Sequence, residues 1–277
     1  MKIVLTSDNT CDIPKNLIEK YDIKIISIPV IMGEDEYRDD IDGKKIYDHV
    51  SKTGTLPKTA ALSEYDYKEF FEKHLENADA IIHFALSFGI SATGPNAVKA
   101  AKDMENVYVI DTKHLSSGSG LLVLNAVDKI SEGKDIKQIV EELKAEAENM
   151  QTSFLINKLD YLKKGGRCSA VAAFGANLLG LKIMIKMVDG KLQPGKKYMG
   201  KMDIALSKYL KDIIKENPPV YNRVFVTSSS EMKGIKDKLV EEVKALGFKE
   251  VLTADACSTI CSHCGPDTIG VLYQKDV

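Results

Sequence analysis

Short apolar runs alternate with longer helical stretches through the first half of this sequence, and that alternation constrains the fold more than any other feature. MKIVLTSD, IKIISIPVIM, AIIHFAL and VYVID each read as a buried strand. Helical patterns lie between and after them. One starts at Asp12, with Pro14 just inside, and runs to about Lys20. Ser63 and Asp66 form a capping box for the next, and NAVKAAKDM, GLLVLNAVDKI and the charged, amphipathic DIKQIVEELKAEAENM follow. Strands that alternate with helices pair in parallel and are covered on both faces. The loops leaving the strand C-termini then gather at one edge, where such sheets bind ligands. Here those loops are TSDNTCD, SFGISATG and DTKHLSSGSG, all rich in small hydroxyl residues.

The second half has a different texture. TSFLIN reads as a strand and LDYLKKGGR as a short helix running into a basic glycine turn. SAVAAFGANLLGL is apolar, with small residues on more than one side, and KIMIKMVDGKLQPGKKY reads as a hairpin turning at Asp189-Gly190. A helix, the strand RVFVTSS, another helix and two terminal strands complete the chain. The 277 residues are natural for two lobes. The expected fold is α/β: residues 1–150 form an N-terminal lobe with a mainly parallel sheet flanked by helices, and residues 151–277 a C-terminal α/β lobe with a mixed sheet.

Several function classes are disfavoured at once. A formal net charge of −2 calls for neither nucleic acid nor an anionic membrane surface. No apolar run reaches the roughly 18–20 residues that span a bilayer, so stable membrane insertion is not expected. The opening MKIVLTSDNTCD turns polar too soon for a secretory signal. Five cysteines is an odd count in a chain large enough to form a core, which argues against a disulfide framework and for a reduced, cytoplasmic protein.

Three of those cysteines, Cys257, Cys261 and Cys264, are spaced C-x3-C-x2-C, with His263 beside the last. That spacing binds a four-iron cluster in radical enzymes that use S-adenosylmethionine, which makes a metal- or Fe–S-dependent enzyme the alternative reading. In those enzymes, however, the motif sits early in the chain. A zinc site could draw on the same three thiols and His263, although paired ligands usually come from separate segments. The plain reading is that small, soft thiols pack beneath a loop.

Other motifs carry less. GKLQPGKK matches seven positions of a phosphate-binding loop but has Lys197 where Ser or Thr would hold magnesium, and it follows a hairpin turn. No G-x-S-x-G occurs. His49 and His74 read as solvated on surface helices and His83 as a core histidine, while His114 opens a loop at the ligand edge. KKGGR reads as an exposed basic turn.

Five segments in order resemble the DegV family of bacterial fatty-acid-binding proteins. They are TSDNTCDIP, PKTAALS, SFGISATGPNA, LDYLKKGGRCS and SHCGPDTIGVLY, spread over essentially the whole chain. The resemblance implies two α/β lobes with a long-chain, palmitate-like fatty acid clamped between them. The N-terminal lobe then carries the head-group loops and the C-terminal lobe contributes to the acyl tunnel. The family is not known as a self-sufficient catalyst, and some members present the acyl carboxylate to a separate fatty acid kinase. Carried over residue by residue, the carboxylate would be held by Thr59 and Ser91. His263 and Arg167 would lie near the head group. No cofactor is implied beyond the bound fatty acid. Departures are Ala60 and Ala61 after the threonine, Ala92 for a glycine, Gly94-Pro95 for Tyr-Gln, and Met199 where many relatives have a surface arginine.

The residue types suit that ligand. A buried carboxylate needs hydrogen-bond donors, and hydroxyls supply them without a formal charge. A carrier must release its cargo, so neutral donors fit better than an arginine clamp. Ala172, Ala173, Gly175 and Ala176, in AVAAFGANLL, leave room for a tunnel.

Overall fold

The computed structural model describes residues 1–168 and 180–276. The chain opens with β1 (Ile3–Asp8), a 3₁₀ turn (Asn9–Cys11) and α1 (Lys15–Lys20). β2 (Lys24–Ile26), β3 (Val30–Met32), β4 (Asp35–Tyr37), α2 (Gly43–Thr53) and β5 (Lys58–Thr59) follow. Next come α3 (Glu64–Leu75), β6 (Ala80–Ala85), α4 (Thr93–Ala100), β7 (Val107–Asp111), α5 (Ser117–Ser131) and α6 (Ile136–Ala147). The later part contains β8 (Met150–Ile156), α7 (Asp160–Gly165), β9 (Leu181–Val188), β10 (Lys191–Met199) and α8 (Met202–Glu216). β11 (Pro219–Ser228), α9 (Ile235–Lys244), β12 (Glu250–Asp255), α10 (Ser258–Cys264) and β13 (Ile269–Lys275) complete it.

The four-stranded sheet β2-β1-β6-β7 is parallel throughout. The six-stranded sheet β10-β9-β8-β13-β11-β12 is mixed, with β11 and β12 its parallel pair. A small antiparallel sheet, β4-β3-β5, stands apart from both.

α5 is the pivot of the packing. Leu121, Leu122, Val123 and Leu124 are all buried, so the helix is apolar around its circumference. Such a helix needs cover on every side. It packs with Leu5 and Ile82 of the parallel sheet and with Phe225 and Leu272 of the mixed sheet in one core cluster. Its glycines allow that approach: a Cβ on Gly118 would lie 2.2 Å from the Thr152 hydroxyl, and one on Gly120 would lie 2.4 Å from the Cys11 carbonyl. α8 and α9 cover the far face of the mixed sheet around Tyr209 and Val243.

Two local expectations are corrected. The run IKIISIPVIM is two strands in different sheets, because Pro29 supplies no N–H to carry a ladder through. The first helix begins at Lys15, after a left-handed Asp12 with φ 43°. The capping box at Ser63 and Asp66 is present, and the hairpin turns at Asp189-Gly190, both with positive φ as a tight primed turn requires.

Candidate functional site

Three loops leave the C-terminal ends of β1, β6 and β7, and buried carboxylates lash them together. Asp8 accepts hydrogen bonds from the N–H of Thr10 at 3.0 Å and of Leu86 at 2.7 Å, and one from the Thr10 hydroxyl. Burial outweighs those bonds and pushes its pKa up. Ser87 donates its N–H to the His114 carbonyl and its hydroxyl to Gly190 on the β9–β10 hairpin. Asp12 accepts the Ser116 hydroxyl and the Cys257 N–H, and burial raises its pKa to about 7. The loops therefore form one rigid rim joined to the mixed sheet.

The cysteine stretch belongs to α10, which the sequence alone did not reveal. The first turn of the helix docks on the N-terminal half through hydrogen bonds to Asp12, Asp40 and Ile28. Asp12 takes the Cys257 N–H at 2.9 Å, Asp40 takes the Ser258 N–H at 2.8 Å, and the Thr259 hydroxyl reaches the Ile28 carbonyl. Cys257, Cys261 and Cys264 are buried, and Cys261 shares its thiol proton between the carbonyls of Ser229 and Ala256. Burial pushes all three thiols up, Cys261 to about 12. Among the described residues no group of three or more His, Cys, Asp or Glu side chains is placed to hold a metal ion. The thiols are the packing face of the helix that carries His263.

That helix brings His263 to Thr59. The Thr59 hydroxyl lies 2.9 Å from His263 Nε2. The other ring nitrogen, Nδ1, is buried without a partner among the described residues. A Cβ on Gly165 of α7 would sit 2.6 Å from it, so only glycine leaves room for the ring. Burial first, and the Arg167 charge second, lower the His263 pKa to about 4.

Thr59, Ser91, Arg167 and His263 line one cavity of about 50 Å³. Its remaining wall is mostly apolar, with Ile28, Leu86, Ile90, Leu115, Leu162 and Ile260 among its members. Ser91 already has local work: it accepts the Thr93 N–H at 3.2 Å and donates to the Thr93 hydroxyl at 3.0 Å, at the start of α4. Arg167 is exposed at the rim, its guanidinium on the Gly165 carbonyl. Ala172, Ala173, Gly175 and Ala176 lie outside the described residues. Pattern reading missed the wall residues Leu115 and Leu162; the one signal for Leu115 was an isolated large apolar residue in a hydroxyl-rich loop.

The histidines sort by environment. His83 is fully buried in β6 on Thr6, as a core histidine. His114 is also buried, with Nε2 on the Ala147 carbonyl. His49 is less solvated than expected, since its Nε2 is buried without a partner among the described residues. No helix among the described residues is long and apolar enough to cross a membrane.

Residues 2–276 match the profile of the DegV family of uncharacterised proteins. The chain is 27% identical to a DegV domain-containing protein of Clostridium perfringens, over 99% of both chains. It is 29% identical to a fatty acid-binding protein of Thermotoga maritima, over 98% of this chain and 96% of that one. Its fold is similar to that of a DegV family protein from Thermus thermophilus, described for its fatty acid binding. There the TM-score is 0.91 and the identity 27%, with full coverage of both chains.

Proposed function

The chain belongs to the DegV family, and from that premise we propose that it binds a long-chain, palmitate-like fatty acid, with the carboxylate at Thr59 and Ser91 and the chain running inward from them. The observation that carries this reading is the single cavity that joins those two hydroxyls and His263 to an apolar interior.

The energetics divide the labour. Burying about 14 methylenes at roughly 0.8 kcal/mol each is a gross gain on the order of 10 kcal/mol. Lost ligand freedom consumes much of it. The cavity is narrow as it stands, so its apolar walls must part to admit the chain, which costs more. The tail supplies affinity and the head group supplies orientation. A carboxylate brought to this mouth meets Thr59, whose acceptor side is taken when His263 Nε2 carries the proton, leaving the hydroxyl hydrogen free to donate outward. Ser91 reaches the same point by turning its proton away from Thr93. Cys264, which borders the cavity, has its thiol held protonated by burial and is a poor nucleophile. A binding role, not catalysis by this chain alone, fits such groups. In this reading the protein acts as a lipid carrier that presents the acyl carboxylate to a separate fatty acid kinase.

Mass spectrometry of lipid extracted from natively purified protein tests the binding reading. One long-chain fatty acid per chain is expected, and a protein that neither carries nor takes up any acyl chain sinks it. Incubation with ATP and a candidate kinase tests the second step through formation of acyl phosphate.

A further inference from the structure

Two more spaces lie in series beyond the head-group cavity, one inside the protein and one at its surface. A deeper cavity of about 20 Å³ shares Leu115, Ile260 and Cys264 with it. The far wall of that cavity includes Ser228, Ser229 and Ala256. The same three residues line a surface groove of about 1030 Å³ between the start of α2 and the loop from β11 to α9. We infer that the acyl channel has a second mouth at Ser228, Ser229 and Ala256, so that the protein takes chains too long for a blind tunnel and chains with a polar group at the far end. The inference rests on the proposed acyl site and adds to it the class of chain that the site accepts.

Two features of the wall support this. The seam between the two spaces is a single backbone rung at the end of the β11–β12 ladder, the Ala256 N–H on the Ser228 carbonyl at 2.9 Å, which a chain end must part, and Ala256 adds only a methyl group beside it. Ser228 is 1% exposed, and its hydroxyl has no partner among the described residues. A buried hydroxyl left unpaired is costly. The other hydroxyls around the deep cavity are bonded: Ser116 to Asp12, Thr227 to Ser117, Ser229 to Gly265 and Thr268 to Cys264. A methyl terminus gives Ser228 nothing, whereas an oxygen on a passing chain, or water following it in from the groove, gives it a partner. The groove is open to solvent and carries charged side chains of both signs, five carboxylates against three lysines, beside apolar Ile41 and Met232, so a polar chain end emerging there stays solvated.

The experiment measures binding of two ligand series to the full chain. One series is saturated monocarboxylic acids from fourteen to twenty-four carbons; the other is the matching α,ω-dicarboxylic acids. With a second mouth, affinity stays level from eighteen carbons upward, and the twenty-two-carbon diacid binds within about tenfold of its monoacid. Ala256→Phe then weakens the twenty-two-carbon acid by about tenfold and leaves the fourteen-carbon acid unchanged. A wild-type protein that binds sixteen carbons well but rejects both twenty-two-carbon ligands overturns the second mouth and leaves the acyl site standing. Failure of every chain length to bind overturns the acyl site and the second mouth with it. The diacid measurement needs no variant, so a poorly folding Ala256→Phe does not shield the inference.

Discussion

Thr59 and His263 stand 204 positions apart in the sequence and meet at 2.9 Å, hydroxyl to ring nitrogen, at the mouth of the cavity. Neither could hold this geometry alone. Thr59 sits on a two-residue strand paired to Val30, and His263 rides on a seven-residue helix docked by Asp12 and Asp40. The pair is therefore a product of the whole assembly and a sensitive reporter of it.

Removing the ring tests its positioning role. His263→Ala leaves Thr59 free to turn and should weaken fatty acid binding by about 1–2 kcal/mol, the usual value of one buried hydrogen bond. Gly165→Ala approaches the same point from α7. Its Cβ would intrude to 2.6 Å of Nδ1 and swing the ring off Thr59. Alanine is a better helix former than glycine, so thermal stability should hold while affinity falls by a similar amount. Titration calorimetry beside a melting curve separates the two. Unchanged affinity in both variants would remove His263 from the site.

The two hydroxyls should respond differently. Thr59→Val keeps the shape, removes the donor, and is expected to weaken binding by about 1–2 kcal/mol with little change in melting temperature. Ser91→Ala removes a donor and also the acceptor for the Thr93 N–H at the start of α4. Its expected signature is the same loss of affinity plus a stability loss of about 0.5–2 kcal/mol, as for a lost helix cap. Denaturant midpoints read the second effect without ligand.

Cys261→Ser tests the thiols as packing groups. The side chain is fully buried, against the Ser229 and Ala256 carbonyls and close to Gly43. A serine hydroxyl can still donate to one of those carbonyls, so affinity for fatty acid should be unchanged within error. Protein purified without oxygen should carry no stoichiometric iron. A brown protein, or loss of ligand binding in the serine variant, would reinstate the thiols as functional.

How much of this was legible beforehand follows from the range of the forces involved. The parallel sheet was readable because its strands and helices are set by local periodicity, and the Ser63–Asp66 cap by a four-residue motif. α10 was not. Its residues, STICSHC, are mediocre helix formers, and the carboxylates that hold its first N–H groups come from 245 and 218 positions away. Long-range capping of that kind leaves no trace in a local window. The meeting of Thr59 with His263 was likewise invisible to pattern and entered through family resemblance alone. The split between β2 and β3 was available from Pro29, which the apolar run around it masked.

The buried histidines set the acid limb of stability. Burial lowers the pKa of His83 to about 3 and those of His114 and His263 to about 4, from an ordinary 6.5. Between pH 6.5 and about 4 the unfolded chain binds three protons that the fold refuses, so stability falls as the pH drops through that window. Asp12 acts in the opposite direction. Its pKa is raised from 3.8 to about 7, so the fold holds a proton there that the unfolded chain has released, and this contribution is lost as pH rises toward 7. Asp8 is shifted the same way. Below about pH 6, where the unfolded histidines are mostly charged, their three protons outweigh the at most two held by Asp12 and Asp8, and stability falls on acidification. Asp12→Asn removes one opposing proton and should steepen that fall, with the carboxamide oxygen still accepting the Cys257 N–H. Urea midpoints at pH 6, 5.5 and 5 for both proteins check the sign. A wild-type midpoint that rises on acidification, or an Asp12→Asn profile shallower than the wild type, would mean that these histidines are not the buried neutral groups described.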